Sequence, residues 1–349
     1  MIISRTPFRI TLGGGGTDLP SFYQRHGGFV LTMAIDKYIY VNLKPSVLDT
    51  KIRLQYLTPE CVDHCSELKH TRAREALKLH GIHNSMEVNS IADLPASSGL
   101  GSSGSYLVGL LHAIRYHLKK GCHPAEIAEE ACDIEINKLE EPVGKQDQYI
   151  ASYGGMQILD IDKAGKVSVR SPSVSIDTAN ELLSNMQIFY TGVLRSASEI
   201  LEEQNKISVD VENNLLKIKD MGYKFLDHIE RQNLDDFGLL LDEHWQSKKK
   251  LSDKISIHTI DSLYEETKKR FGVLGGKIIG AGGGGFLMLY APKKHIELKR
   301  FMESASLPRL DYSLDHQGSR IVADLRSASS FYVKHGSAGQ QTNLWENYL

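Results

Sequence analysis

The sequence predicts an α+β chain folded into two lobes, on three observations. The chain is strand-rich from Ile2 to Ala92, helical periodicity takes over at 106–141 and again at 209–271, and each helical stretch is followed by more strands. The 349 residues run without a long low-complexity linker through the first 330, enough chain for more than one core. With a formal charge of −2, nothing in the composition argues for nucleic acid or an anionic membrane as partner, and neither is expected. No apolar run approaches the ~20 residues of a membrane span, and the start M-I-I-S-R-T-P has no signal-peptide pattern, so a cytoplasmic protein is expected. Cys61 and Cys65, with His64 between, could suggest a metal, but Cys122 and Cys132 make no second pair at ligand spacing, so the four are expected as buried free thiols.

Ile2 to Leu12 opens as a strand with Phe8, Ile10 and Leu12 on one face and Arg9 and Thr11 on the other. Gly13 to Gly16 suit a close backbone approach to a ligand. Asp18, just ahead of Pro20, can cap a short helix or bind sugar hydroxyls. Phe29 to Ile35 and Tyr38 to Leu43 read as a hairpin, Ile52 to Leu57 as a strand and His70 to His80 as a helix.

Asp93 to Ser105, D-L-P-A-S-S-G-L-G-S-S-G-S, lies between a strand, Met86 to Ala92, and a helix, Tyr106 to Leu118. Strand, glycine loop and helix start together make an anion cradle, because free N–H groups and the helix dipole converge there. A cap by Ser102 or Ser103 is the plainer reading, but capping needs one serine and not five. The loop has no lysine of the Walker type. Its G-x-G-x-x-G, Gly99, Gly101 and Gly104, is followed by a second helix where a dinucleotide fold needs a strand, so an oxidoreductase is the weaker alternative.

In that second helix, Pro124 to Glu141, Glu135 alone among the carboxylates falls in the middle of the apolar arc, so it must be paired with a cation, hydrogen-bonded or bound to a metal. Glu141 to Gln148 follows, with Asp147 placed to orient or deprotonate a hydroxyl, or to favour a helix dipole, and then an aromatic-rich turn to Gly154-Gly155. Met156 to Ile161, Lys166 to Arg170 and Met186 to Thr191 read as strands. Arg195 precedes a capping box, Ser196 with Glu199, and is a second anion candidate. Helices are expected over Val209 to Arg231, Leu234 to Lys250, with Lys248-Lys249-Lys250 a solvated face, and Thr259 to Phe271. Gly275 to Gly285 reads as a glycine-rich strand connection near the site, Lys294 to Ser304 as a helix, and Leu310 to Asp315 and Arg320 to Asp324 as strands. The tail beyond Arg326 is polar.

The three glycine clusters, in this order and at these separations, resemble the GHMP small-molecule kinases, the superfamily of galactokinase, homoserine kinase and mevalonate kinase, over about residues 1–326. The resemblance implies an N-terminal ATP-binding lobe with a left-handed β-α-β crossover, residues 1–182, a ferredoxin-like C-terminal lobe, 183–326, and a tail, 327–349. It implies ATP phosphates wrapped by Pro95, Ser97, Ser98, Gly99, Leu100, Gly101, Ser102, Ser103 and Gly104, Mg2+ on Ser103 and Glu135, and Asp147 in G-K-Q-D-Q with Arg9 as the catalytic pair. Substrate contacts are implied for Gly15, Gly16, Thr17, Asp18, Lys145, Gln146, Gly283 and Gly284.

The details R-T-P-F-R-I-T-L-G-G-G-G-T-D-L-P and T-G-V-L-R-S-A-S look closest to kinases that phosphorylate the anomeric hydroxyl of a sugar phosphate. A second anion site then has a task, with Arg195 the first candidate and Lys248 or Lys249 the next. The partners expected are ATP and a small sugar phosphate, with the chain a monomer or homodimer. A kinase for an unphosphorylated sugar and a catalytically idle sensor are the alternatives; Arg9, Glu135 and Asp147 together disfavour the sensor.

Overall fold

A computed structural model describes residues 1–193, 208–251, 255–256, 258–280 and 282–326. It builds the first lobe on β1 (Ile2–Gly13), followed by α1 (Pro20–His26) and an 18-residue strand, β2 (Gly28–Pro45). The expected hairpin is therefore one strand. Asp36 is followed by Lys37 and not by the glycine that a two-residue hairpin turn favours, and the register against β1 shifts there instead, from Pro7↔Tyr38 to Phe8↔Ile35.

β2 spans two neighbourhoods. Its first half pairs with β6 (Met156–Ile161) and its second with β5 (Met86–Ala92), which lies parallel to β3 (Ile52–Gln55). With β4 (Glu60–Val62), β7 (Val167–Arg170) and the last strand, β12 (Arg320–Asp324), these make an eight-stranded sheet. The stretch 320–324, assigned to the second lobe from sequence, thus pairs with β1 and completes the first sheet.

α2 (Thr71–Leu79) and α3 (Ser102–His117) pack on this sheet, the latter burying Leu107, Leu110, Leu111 and Ile114. α4 (Pro124–Cys132) runs into a π-helical turn, Asp133–Lys138, that carries Glu135. The aromatic-rich stretch expected as a turn is a helix, α5 (Gln146–Tyr153), whose Tyr149, Ile150 and Ala151 are buried.

The second lobe is a four-stranded antiparallel sheet in the order β11-β8-β10-β9, formed by β8 (Met186–Tyr190), β9 (Gly275–Ile278), β10 (Phe286–Tyr290) and β11 (Arg309–Leu310). Numbered within the lobe this is the 4-1-3-2 order of a ferredoxin-like sheet. Leu310 to Asp315 continues past β11 only as a bridge between Leu314 and Ile35. An unforeseen α6 (Ile176–Asn185), started by the Ser175 cap, precedes β8. Helices α7 (Val209–Glu230), α8 (Leu234–Lys249), α9 (His258–Phe271) and α10 (His295–Ser304) complete the lobe. Trp245, Tyr264, Phe189 and Ile278 centre its core. Among the described residues no helix is long and apolar enough to cross a membrane.

Candidate active site

α3 starts without a side-chain cap. Gly101 occupies the cap position at φ 80°, a left-handed conformation that glycine adopts without strain, and neither Ser102 nor Ser103 is used to close the helix end. Both serines instead line a cavity of about 750 Å3, together with Ser97, Gly99 and Gly101. The open helix start has free N–H groups at the positive end of the dipole, the geometry an anion cradle needs. Leu100 is buried and its carbonyl is tied to the Arg9 N–H at 3.0 Å, which fixes the loop to β1. Ser98 is buried with no partner for its hydroxyl, and Pro95, Ser98, Leu100 and Gly104 support the loop without lining the cavity.

The third glycine cluster closes over this loop. A Cβ on Gly280 would sit 2.4 Å from the Gly99 carbonyl oxygen, so the two backbones meet where only glycine fits. Gly283 and Gly284, expected at the substrate, do not line the cavity; the Gly283 N–H donates to Ile255 at 2.8 Å and Gly284 packs on Val193.

Arg9 and Asp147 form a two-pronged ion pair inside the cavity. Nε donates to Oδ1 at 2.7 Å and Nη2 to Oδ2 at 3.1 Å, while Nη1 reaches the Gly99 carbonyl. Arg9 is 6% exposed, so its position off the apolar face of β1 leaves it facing a site and not solvent. Asp147 comes from the first turn of α5, one residue after Gln146, whose Oε1 accepts from Thr11 at 2.5 Å.

Asp18 does not cap α1, where Leu19 holds the cap position without a side-chain bond. It serves α5 instead: Oδ2 accepts from the Gln146 backbone N–H at 3.1 Å, and Oδ1 from the Gln146 amide at 3.2 Å and the Gly16 N–H at 3.1 Å. Burial, with Asp147 nearby, raises its pKa despite these donors. Gly15, Gly16, Asp18 and Gln146 line the cavity. Thr17 does not; its hydroxyl is buried on the Gly14 and Phe29 carbonyls, at 2.8 Å each. Lys145 turns away too, to Glu129 at 3.1 Å and the Gly165 carbonyl at 2.6 Å.

A Cβ on Gly144 would lie 2.0 Å from Asp18 Oδ2. Gly144→Ala should therefore displace Asp18 and raise the Michaelis constant for the acceptor on the order of tenfold, the scale set by one lost hydrogen bond to a charged group. An unchanged constant in steady-state kinetics would show that Asp18 has no part in acceptor binding.

Glu135 is fully buried, with Arg72 Nε on Oε1 at 2.7 Å and the Gln148 amide on Oε2. Arg72 lines the cavity and bridges Glu135 to Glu141, whose pKa burial raises. Serine hydroxyl and carboxylate are the hard oxygen donors magnesium prefers, and Gln148, whose amide holds Glu135, has a buried Oε1 with no partner, so Ser103 and Glu135 fit that ion in kind; Ser103 lines the cavity and Glu135 lies behind its wall. The carboxylate it would use is now held by Arg72.

Arg195 lies outside the described residues. Lys249 pairs with Asp261 at 3.3 Å and does not line the cavity. Lys248 does line it, with His244 and Lys277, so the three lysines are not one solvated face. Sequence reasoning missed His244 and Lys277. The signal was present for one: Leu241, His244, Trp245 and Lys248 follow i, i+3, i+4, i+7, a stripe of α8 whose first three members are buried and whose fourth is half-buried in the cavity wall. A second cavity, about 700 Å3 between α6, β8 and β11, has no carboxylate in its lining and belongs to no such arrangement.

Comparison with known proteins adds the family. The GHMP kinases N-terminal domain matches residues 68–155 and the GHMP kinases C-terminal domain residues 225–305. A D-glycero-alpha-D-manno-heptose 7-phosphate kinase of Campylobacter jejuni is 28% identical over 339 residues, covering 91% of this chain and 97% of its own. An L-fucokinase/L-fucose-1-P guanylyltransferase of Bacteroides fragilis is 26% identical over 92% of this chain but only 38% of its own length. The crystal structure of a D-glycero-D-manno-heptose 1-phosphate kinase from Bacteroides thetaiotaomicron superposes with a TM-score of 0.77 at 22% identity, over 93% of this chain and 100% of its own, which is a likeness of fold.

Proposed function

We propose that this chain, a member of the GHMP kinases and an ATP-dependent kinase, phosphorylates the anomeric hydroxyl of D-glycero-D-manno-heptose 7-phosphate in the cytoplasm. The observation that carries the chemistry is the Arg9–Asp147 pair set in one cavity with the open start of α3. The full-length likeness to a heptose 7-phosphate kinase supports the substrate.

The parts act by position and charge, as phosphoryl transfer requires. The first-turn N–H groups of α3 and the Ser97–Ser103 loop take the ATP phosphates. Asp147 accepts a hydrogen bond from the acceptor hydroxyl and receives its proton as that oxygen bonds to the γ-phosphorus and ADP departs. Arg9 holds the carboxylate by both oxygens and stands beside the reacting oxygen as negative charge develops. Asp18 fixes Gln146, and through it the first turn of α5 that carries Asp147. Magnesium, which Ser103 and Glu135 would hold, supplies neutralisation of the phosphate charge.

ADP release with magnesium and ATP across heptose 7-phosphate, mannose 6-phosphate, mannose, galactose and fucose tests the proposal. A signal confined to the heptose phosphate is expected. A signal with fucose would favour the second reading, an unphosphorylated-sugar kinase, which the fucokinase likeness supports. Silence throughout would remove the sugar assignment.

A further inference from the structure

The cavity has a cationic wall that the catalytic pair does not use. Lys277, 3% exposed in the glycine-rich strand β9, donates from Nζ to the Leu12 carbonyl at 2.8 Å, next to the first glycine cluster. Lys248 donates to the Ile278 carbonyl at 3.1 Å and to the Gly280 carbonyl. Neither has a carboxylate within ion-pair distance among the described residues. His244, 2% exposed, has no partner for either ring nitrogen.

Buried cations without a counter-charge are costly, so groups left in this condition around a cavity are suited to an anionic ligand that arrives with the charge. Two further features give the ligand's class. The donors come from two elements, α8 and β9, and converge on one space, which suits the several oxygens of a phosphate monoester. They also stand on the second-lobe side of the cavity, Lys277 tied to the Leu12 carbonyl just ahead of the first glycine cluster and Lys248 to Gly280, which meets Gly99, whereas the open start of α3 lies on the first lobe.

We infer that Lys277, Lys248 and His244 form a second phosphate subsite, which holds the phosphate group carried by the acceptor while the glycine loop holds those of ATP. The word acceptor rests on the kinase reading above; the anion subsite does not. Without an anion the charge is suppressed: burial, Lys248 and Arg9 push the Lys277 amine well down, burial with Arg9 brings Lys248 to about 7 and burial keeps His244 neutral, so an arriving phosphate restores the charge by drawing protons onto the amines. The one carboxylate among the catalytic groups here, Asp147, is already paired with Arg9.

The test is a calorimetric titration of inorganic phosphate into the full chain with magnesium and a non-hydrolysable ATP analogue bound, so that the donor's three phosphate positions are filled. Phosphate should bind the wild-type protein, and Lys277→Met and Lys248→Met should each weaken it roughly tenfold or more while binding the analogue within about twofold of wild type. Methionine keeps the apolar stem and removes the buried charge. Should Lys277→Met fail to fold, Lys248→Met, at a less buried position, carries the test. Phosphate binding that disappears once the analogue is present would assign the cluster to the γ-phosphate and overturn the inference. Unchanged affinity in both variants would overturn it as well. In turnover, preference for heptose 7-phosphate over unphosphorylated heptose should fall by a similar factor in the variants. If no sugar is phosphorylated by the wild-type protein and the phosphate titration still responds to Lys277→Met, the kinase substrate is wrong and the subsite stands.

Discussion

Asp147→Asn is expected to slow phosphoryl transfer by roughly two to four decades, the usual reach of a group that takes or positions a proton, with nucleotide binding close to wild type. Asparagine has nearly the same shape, so α5, Gln146 and the Gly104 backbone against which Asp147 packs remain in place. What is lost is charge and acceptor capacity. Arg9 would keep the Gly99 carbonyl and one amide oxygen in place of a two-pronged carboxylate. Single-turnover ADP formation reads the chemical step, and equilibrium binding of ATP reads the loop. A chemical step as fast as wild type would remove Asp147 from the mechanism. Loss of ATP binding as large as the loss of rate would show that the Arg9–Asp147 pair serves to hold the glycine loop instead.

Arg9 shows how much of this site was legible in the chain and why the rest was not. Period-two alternation correctly put it opposite Phe8, Ile10 and Leu12. Alternation cannot tell a solvated face from one covered by another element, and that face is covered by Gly99 and α5. The glycine-serine loop and the helix start it leads into were legible because their cause is local: glycines, serines and a helix start are adjacent in sequence. The inward place of Glu135 followed from helical phase, but its partners, Arg72 and Gln148, lie 63 and 13 residues away in the chain and no period reports them. Lys248 was misread because a run of three lysines suggests solvent, whereas 100° per residue sends its members to different faces. The Asp36-Lys37 bulge and the return of 320–324 to the first sheet are decided by partner strands, which local sequence does not contain.

Arg72→Ala should lower stability by about 3 kcal/mol, the lower end of the cost of stripping one member from a buried ion pair, because Arg72 is partly exposed and the Gln148 amide remains on Glu135. The midpoint of thermal unfolding should drop by several degrees. Magnesium decides what that loss means. If Glu135 is a metal ligand, removing Arg72 leaves its carboxylate free for the ion, and bound ion stabilises the native chain by RT ln(1 + [L]/Kd). Melts of Arg72→Ala should then recover toward wild type as magnesium is raised, by more than the wild-type protein gains over the same range. In Glu135→Gln, Arg72 keeps Glu141 and the neutral amide needs no counter-charge, so stability should change little while the magnesium concentration for half-maximal ADP formation rises. Melts of Arg72→Ala that ignore magnesium, together with an unaltered magnesium requirement in Glu135→Gln, would make Glu135 a structural partner of Arg72, and the metal would have to be held from Ser103 and the phosphates themselves. The pair of variants separates the two roles because each removes a different charge from the same buried bond.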